Sequence, residues 1–199
     1  MYHWTTEVID FAFRKRIPVS RIEGSKLSTS RIRHESNRNK SNFFFFNGHG
    51  SPTAMYGNRI GDELIKSSDT DILKNSLVFA RACDCLAVLG KKAVKDGCTA
   101  FIGYKKKFWV AQLNSMLSRP LHDPLAKPIM KNSNIIANEL IKGQSVENAV
   151  LAAHHDAADV ILKLIYSSDP NDRSVLWSIV TNDQNLDFEG DANATLTLI

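Results

Sequence analysis

An α/β fold with a mainly parallel sheet between two layers of helices is the architecture this sequence predicts. Three apolar runs carry the expectation: NFFFFN at 42–47, SLVFARA at 76–82 and CTAFIGY at 98–104. Their apolar residues are consecutive, not alternating, as in strands covered on both faces. Segments of helical period lie around them, and strands alternating with helices build a three-layer domain.

Taken in order, residues 5–16 place Val8, Phe11 and Ala12 on one helical face. IPVSRI at 17–22 reads as a short strand, with Pro18 tolerable near its start. A basic helix spans roughly 26–39 and leads into the phenylalanine strand; GDELIKSS at 61–68 is expected to be helical. After the second buried strand a short helix covers about 84–96, its face formed by Leu86, Leu89, Gly90, Ala93 and Val94, with Gly97 closing it. The second half is mostly helical. Ser145 is placed to cap a long helix with Val146, Ala149, Val150, Ala153, Ala157, Val160, Ile161 and Leu164 on its apolar face, ended by Pro170. DRSVLWSIVTN at 172–182 is a further helix, and LDFEGDANATLTLI at 186–199 closes the chain as extended segments with a turn.

Composition narrows the function classes. The chain has 199 residues, 43% of them hydrophobic and 23% charged, which suits a single globular domain over 1–199. No apolar run approaches the ~18 residues of a membrane span, so no membrane partner is expected. The charged, amphipathic start is not a signal peptide. Three cysteines, an odd number, do not make a disulfide framework, and a cytoplasmic protein with reduced thiols is expected. The net charge of +4 is concentrated: nine Lys/Arg lie between Arg14 and Asn42 against Glu23 and Glu35 alone. That face lacks interleaved aromatics for base stacking, so nucleic acid is not the expected partner, although salt-dependent binding would reveal one.

In open α/β sheets, ligands bind beyond the carboxyl ends of the strands. His49 lies just past the first apolar run and Cys83 just past the second. A cysteine ahead of a helix sits in the positive field of its N-terminus. An imidazole beside it can exchange a proton with the thiol and the leaving amine, and the amides of Gly50 and Cys83 can hold an oxyanion. Those are the parts needed for acyl transfer. Cys85 competes for the nucleophile's role, but it falls inside the first helical turn. Zinc held by Cys83, Cys85, Cys98 and His49 lacks the usual C-x2-4-C spacing. His154-His155-Asp156 point apart on a helix, and His155 with Asp159 is a surface pair. No cofactor or metal is expected.

FFFFNGHGS and LVFARACDC resemble the two signature blocks of caspase-like cysteine peptidases, the clan of caspases, gingipains, legumain, clostripain and separase. GCTAFIGY and FEGDANATL are similar to later segments of gingipain-like members; the likeness covers residues 40–110 best. The resemblance implies a caspase-like fold, an endopeptidase acting on protein or peptide substrates, a His49–Cys83 dyad, and an oxyanion hole of Gly50 and Cys83. The chain departs from caspases proper at Arg81-Ala82-Cys83, where they carry Gln-Ala-Cys with the histidine about 50 residues upstream. Here His49 precedes Cys83 by 34, a gingipain-like gap. The family's sheet also opens with a strand ahead of the first helix, whereas this chain starts with the helix, leaving open whether Met1 is an internal start.

By the same resemblance, Arg81 and Lys105 line the pocket for the substrate side chain before the cut, which then favours an acidic residue. The competing expectation has Arg81 paired internally with Asp62, Glu63 or Asp84. A catalytically silent caspase-like scaffold, docking through its basic 14–42 face, is the alternative function. Natural substrate, activation signal and oligomeric state are not legible.

Overall fold

Doubly apolar strands need cover on both faces, and the fold supplies it. The computed structural model describes residues 2–39, 41–57 and 62–197; Met1, Lys40 of the basic run and Gly61 of the expected 61–68 helix lie outside them. The central sheet contains β1 (Phe43–Asn47), β5 (Leu77–Arg81), β6 (Ala100–Tyr104) and β7 (Leu186–Gly190), in the order β1-β5-β6-β7. β1, β5 and β6 are parallel and adjacent, as their sequences led one to expect, and β7 closes the far side antiparallel.

Successive residues of β5 feed two separate cores. Leu77 and Phe79 join α1 (Thr5–Arg14), α4 (Ala126–Ile141), α5 (Val146–Ile165) and α6 (Asp172–Asn185) on one side. Val78 and Ala80 join α2 (Thr29–Asn39), a 3-10 turn at Thr70–Leu73 and the helical stretch after Cys83 on the other. The architecture is mixed α/β, with a mostly parallel sheet covered on both faces. α5 begins where Ser145 accepts a hydrogen bond from the Asn148 amide, the cap that the sequence implies.

Three expectations are corrected. Residues 17–22 form no strand, although their pattern permits one; among the described residues they have no ladder partner. GDELIKSS is not a helix: β4 (Glu63–Lys66) pairs with β3 (Ala54–Tyr56), which pairs with β2 (His49–Gly50), in a small antiparallel sheet. The pattern of Leu64 and Ile65 is too short to separate helix from strand, and hairpin pairing decides it. The helix expected over 84–96 starts at Leu86 with a wide π turn (Leu86–Gly90) and only then becomes α3 (Lys91–Lys95).

No helix among the described residues is long and apolar enough to cross a membrane.

Candidate active site

The strand register sets the geometry of the site. β1 and β5 pair so that Asn47 lies opposite Arg81, and the Gly48 amide still donates to the Arg81 carbonyl at 3.3 Å. His49 and Cys83 each stand two residues beyond that last pair, at the carboxyl edge of neighbouring strands. Gly50 then packs directly on the cysteine segment. A Cβ placed there would sit 2.5 Å from the Cys83 carbonyl oxygen and 3.0 Å from the Ala82 Cβ, and would also overlap the Cys85 sulfur. The glycine is required for close approach of the two segments. A second tie runs from the Leu89 amide to the Pro52 carbonyl, at 2.7 Å.

His49 occupies the first position of the small sheet, opposite Tyr56, not a free turn as its flanking glycines suggest. Its side chain remains exposed. Cys83 is half-buried, with its sulfur 4.0 Å from the Phe108 carbonyl. Among the described residues, the Cys83 amide has no hydrogen-bond acceptor. Asp84 adopts a left-handed conformation at φ 59°, and its amide donates to the Lys106 carbonyl at 3.1 Å. Strained residues of this kind cluster at functional sites, and Asp tolerates the region better than most. The turn displaces Cys83 from the helix: Cys85 holds the N-cap position, so the helix field reaches Cys83 across Asp84.

The three thiols differ sharply. Cys85 is 0% exposed, its sulfur 3.8 Å from the Ala54 carbonyl, and burial pushes its pKa up to about 12. Cys98 is buried beside the Ser76 carbonyl and is likewise pushed up to about 12. Cys83 alone of the three is partly open to solvent.

Arg81 does not face a pocket. It is 0% exposed and donates to Asn47 Oδ1 and Asn134 Oδ1, both at 2.7 Å, and to Thr5 Oγ1 at 3.2 Å. Its guanidinium also lies 5.0 Å from the centre of the Phe45 ring, and burial pushes its pKa down to about 10. The Glu7 carboxylate acts on it across Asn134, whose amide donates to Glu7 at 3.2 Å. The expected acidic partners Asp62, Glu63 and Asp84 are replaced by neutral groups from α1, β1 and α4. Lys105 is likewise drawn away, its ammonium paired with Asp187 on β7. The loop it begins does reach the site, through the Lys106 carbonyl and Phe108.

Asn182 was not legible as a contributor. It accepts from the Trp109 amide and donates to the Trp109 carbonyl, both at 2.8 Å, holding that loop beside Cys83 from α6. Nothing in the local sequence links positions 73 residues apart. His154, whose ring points away from His155 and Asp156, pairs through Nδ1 with Asp183 at 2.7 Å. No group of three metal-ligating side chains gathers among the described residues. Neither a protein-family model nor a curated protein matches this sequence, so the likeness to caspase-like peptidases rests on His49-Gly50 and Ala82-Cys83 in their strand contexts.

Proposed function

We propose that this protein is a caspase-like cysteine endopeptidase working through a Cys83–His49 dyad. The observation that carries the reading is the matched ending of β1 and β5, with Gly50 packed on the Cys83 carbonyl. His49 takes the proton from the Cys83 thiol, and the thiolate attacks the scissile carbonyl carbon. The carbonyl oxygen becomes an oxyanion held by the amides of Gly50 and Cys83. Collapse breaks the C–N bond while His49 gives its proton to the leaving amine. Water, deprotonated by His49, then attacks the thioester; the acid is released and the thiol restored.

An acidic preference has no carrier in Arg81 or Lys105, whose head groups are engaged by Asn134 and Asp187. Protein or peptide is the substrate class. The cytoplasm, where thiols stay reduced, is the compartment that suits an enzyme of this kind.

Iodoacetamide labelling followed by peptide mapping tests the nucleophile. Cys83 should be labelled in the folded protein, while Cys85 and Cys98 stay unmodified, because burial holds their thiols protonated. Cleavage of a peptide library should fall by about a thousandfold or more in both Cys83→Ala and His49→Ala, with circular dichroism unchanged. Cleavage that survives in Cys83→Ala overturns the assignment. The scaffold reading has one observation in its favour: among the described residues no strand pairs with the outer side of β1, beside the basic segment.

A further inference from the structure

The loop that follows β6 is fastened at three points. The Lys106 carbonyl accepts from the Asp84 amide at 3.1 Å, and the Phe108 ring, 9% exposed, packs 4.6 Å from the Tyr104 ring. Asn182, 4% exposed, closes both hydrogen bonds of the Trp109 backbone. A loop held this firmly presents its side chains in fixed positions. One of them is apolar and open. The Trp109 indole is 40% exposed and meets Trp177 of α6, 53% exposed, in a T-shaped pair at 4.8 Å. Side by side, the two leave apolar aromatic surface open to water, the composition of binding hot spots.

This surface lies against the proposed nucleophile. The Phe108 carbonyl oxygen is 4.0 Å from the Cys83 sulfur. The Trp109 nitrogen is bonded to that same carbonyl carbon, so Trp109 begins no more than roughly 6–7 Å from the sulfur. A substrate residue whose carbonyl carbon is attacked by Cys83 carries its Cβ two bonds from that carbon, in reach of an indole so placed. Lys106 and Lys107, both exposed, precede it in the loop, and the Lys107 ammonium lies 5.8 Å from the centre of the Trp109 ring. A second cation brought there is repelled.

We infer that Trp109 and Trp177 are specificity-determining residues, forming the surface that holds an aromatic or large apolar substrate side chain before the cut. The inference rests on the Cys83–His49 peptidase reading and names its substrate class. Aromatic rings pair with an indole more strongly than the area they bury alone accounts for, and the neighbouring lysines disfavour Arg and Lys. This preference takes the place of the acidic one, for which Arg81 and Lys105 offer no free head group.

Peptides that differ only in the residue before the cut provide the test. Phe, Trp and Leu should exceed Lys and Arg by about tenfold to a hundredfold in kcat/KM. Trp177→Ala, at an exposed position, should leave circular dichroism and Cys83 labelling unchanged. It should raise KM for the Phe peptide about fivefold, more than it lowers kcat, and Trp177→Phe should restore most of that loss. Because Trp4 is 2% exposed, the two outer indoles dominate acrylamide quenching of the fluorescence. In Cys83→Ala, the Phe peptide should shield them and the Lys peptide should not. Equal cleavage of the two classes, or a Phe preference untouched in Trp177→Ala, overturns the proposal and leaves the peptidase reading intact. Shielding in Cys83→Ala with no cleavage by the unaltered protein does the reverse: the aromatic surface is kept and the peptidase reading is lost.

Discussion

The two outer strands of the central sheet solve the same problem in opposite ways. β7 carries Asp187 and Glu189, paired with Lys105 and Lys91, and charged residues on an edge discourage a further strand. The chain beyond it turns at Gly190 (φ 101°), where a Cβ would overlap the Thr99 carbonyl, and then bonds to the start of α5 through the Ala192 and Ala194 carbonyls. β1 has four consecutive phenylalanines, half-buried, and no charge along its length. The candidate dyad straddles this difference. Cys83 extends from β5, buried at every residue, whereas His49 extends from the undefended edge. One half of the site is built on a fully buried strand and the other on a half-buried one.

That contrast is sharpest at Arg81, which ties the two strands together through Asn47. Replacing it with methionine keeps much of the stem but leaves Asn47, Asn134 and Thr5 without their donor in the interior. Each of the three orphaned polar groups costs about 1–3 kcal/mol, offset in part because no cation then remains buried. Arg81→Met should therefore lower the unfolding free energy by about 3–5 kcal/mol in urea titration, and Arg81→Lys by less. Neither should redirect cleavage toward a different side chain. A stable Arg81→Lys protein with altered library specificity would return Arg81 to the substrate pocket.

Gly50 is the seam between the two halves. An alanine there meets the Cys83 carbonyl and the Cys85 sulfur, both attached to constrained backbone. Relief requires β2 to move away from β5, at about 1–3 kcal/mol. The displacement carries His49 with it, so activity should fall further than stability alone accounts for. Full cleavage by Gly50→Ala would mean that the close approach is incidental to catalysis.

How much of this was legible depended on how local the cause was. The runs at 77–80 and 100–102 specify buried strands by themselves and 43–46 a strand that is half-buried, and their order placed His49 and Cys83 at one edge. The Ser145 cap was equally local. IPVSRI has strand character but no neighbour to pair with, and a strand needs both. α4 was not delimited because Asn132, Ser133 and Asn134 interrupt its apolar face; each is buried and satisfied by a distant group, respectively Ala153, Tyr104 and Arg81. The charge partner of Arg81 was missed for the same reason. A nearby acid is visible in a sequence; two asparagines and a threonine from three elements are not.

The smallest predicted effect concerns the guarded edge. His154 on α5 is paired with Asp183 on α6, and Asp187 of β7 adds to the local negative field, so the imidazole pKa is raised above its ordinary value near 6.5. The hydrogen bond that His154 donates to Asp183 is the leading cause, opposed by burial. A raised folded-state pKa means that the contribution is fully present below the unfolded value and is lost as pH climbs through the folded one. The imidazole and its partner are 33% and 28% exposed, so screening limits the pair to a few tenths up to about 1 kcal/mol. For a chain of this size that corresponds to a melting shift of roughly 2–4 °C at most between about pH 6 and pH 8. His154→Gln should flatten this slope while leaving hydrogen exchange along β1 unchanged, since the pair lies on the far side of the sheet. A slope that persists in His154→Gln would assign the titration to another group and remove pH as a means of loosening one edge without the other.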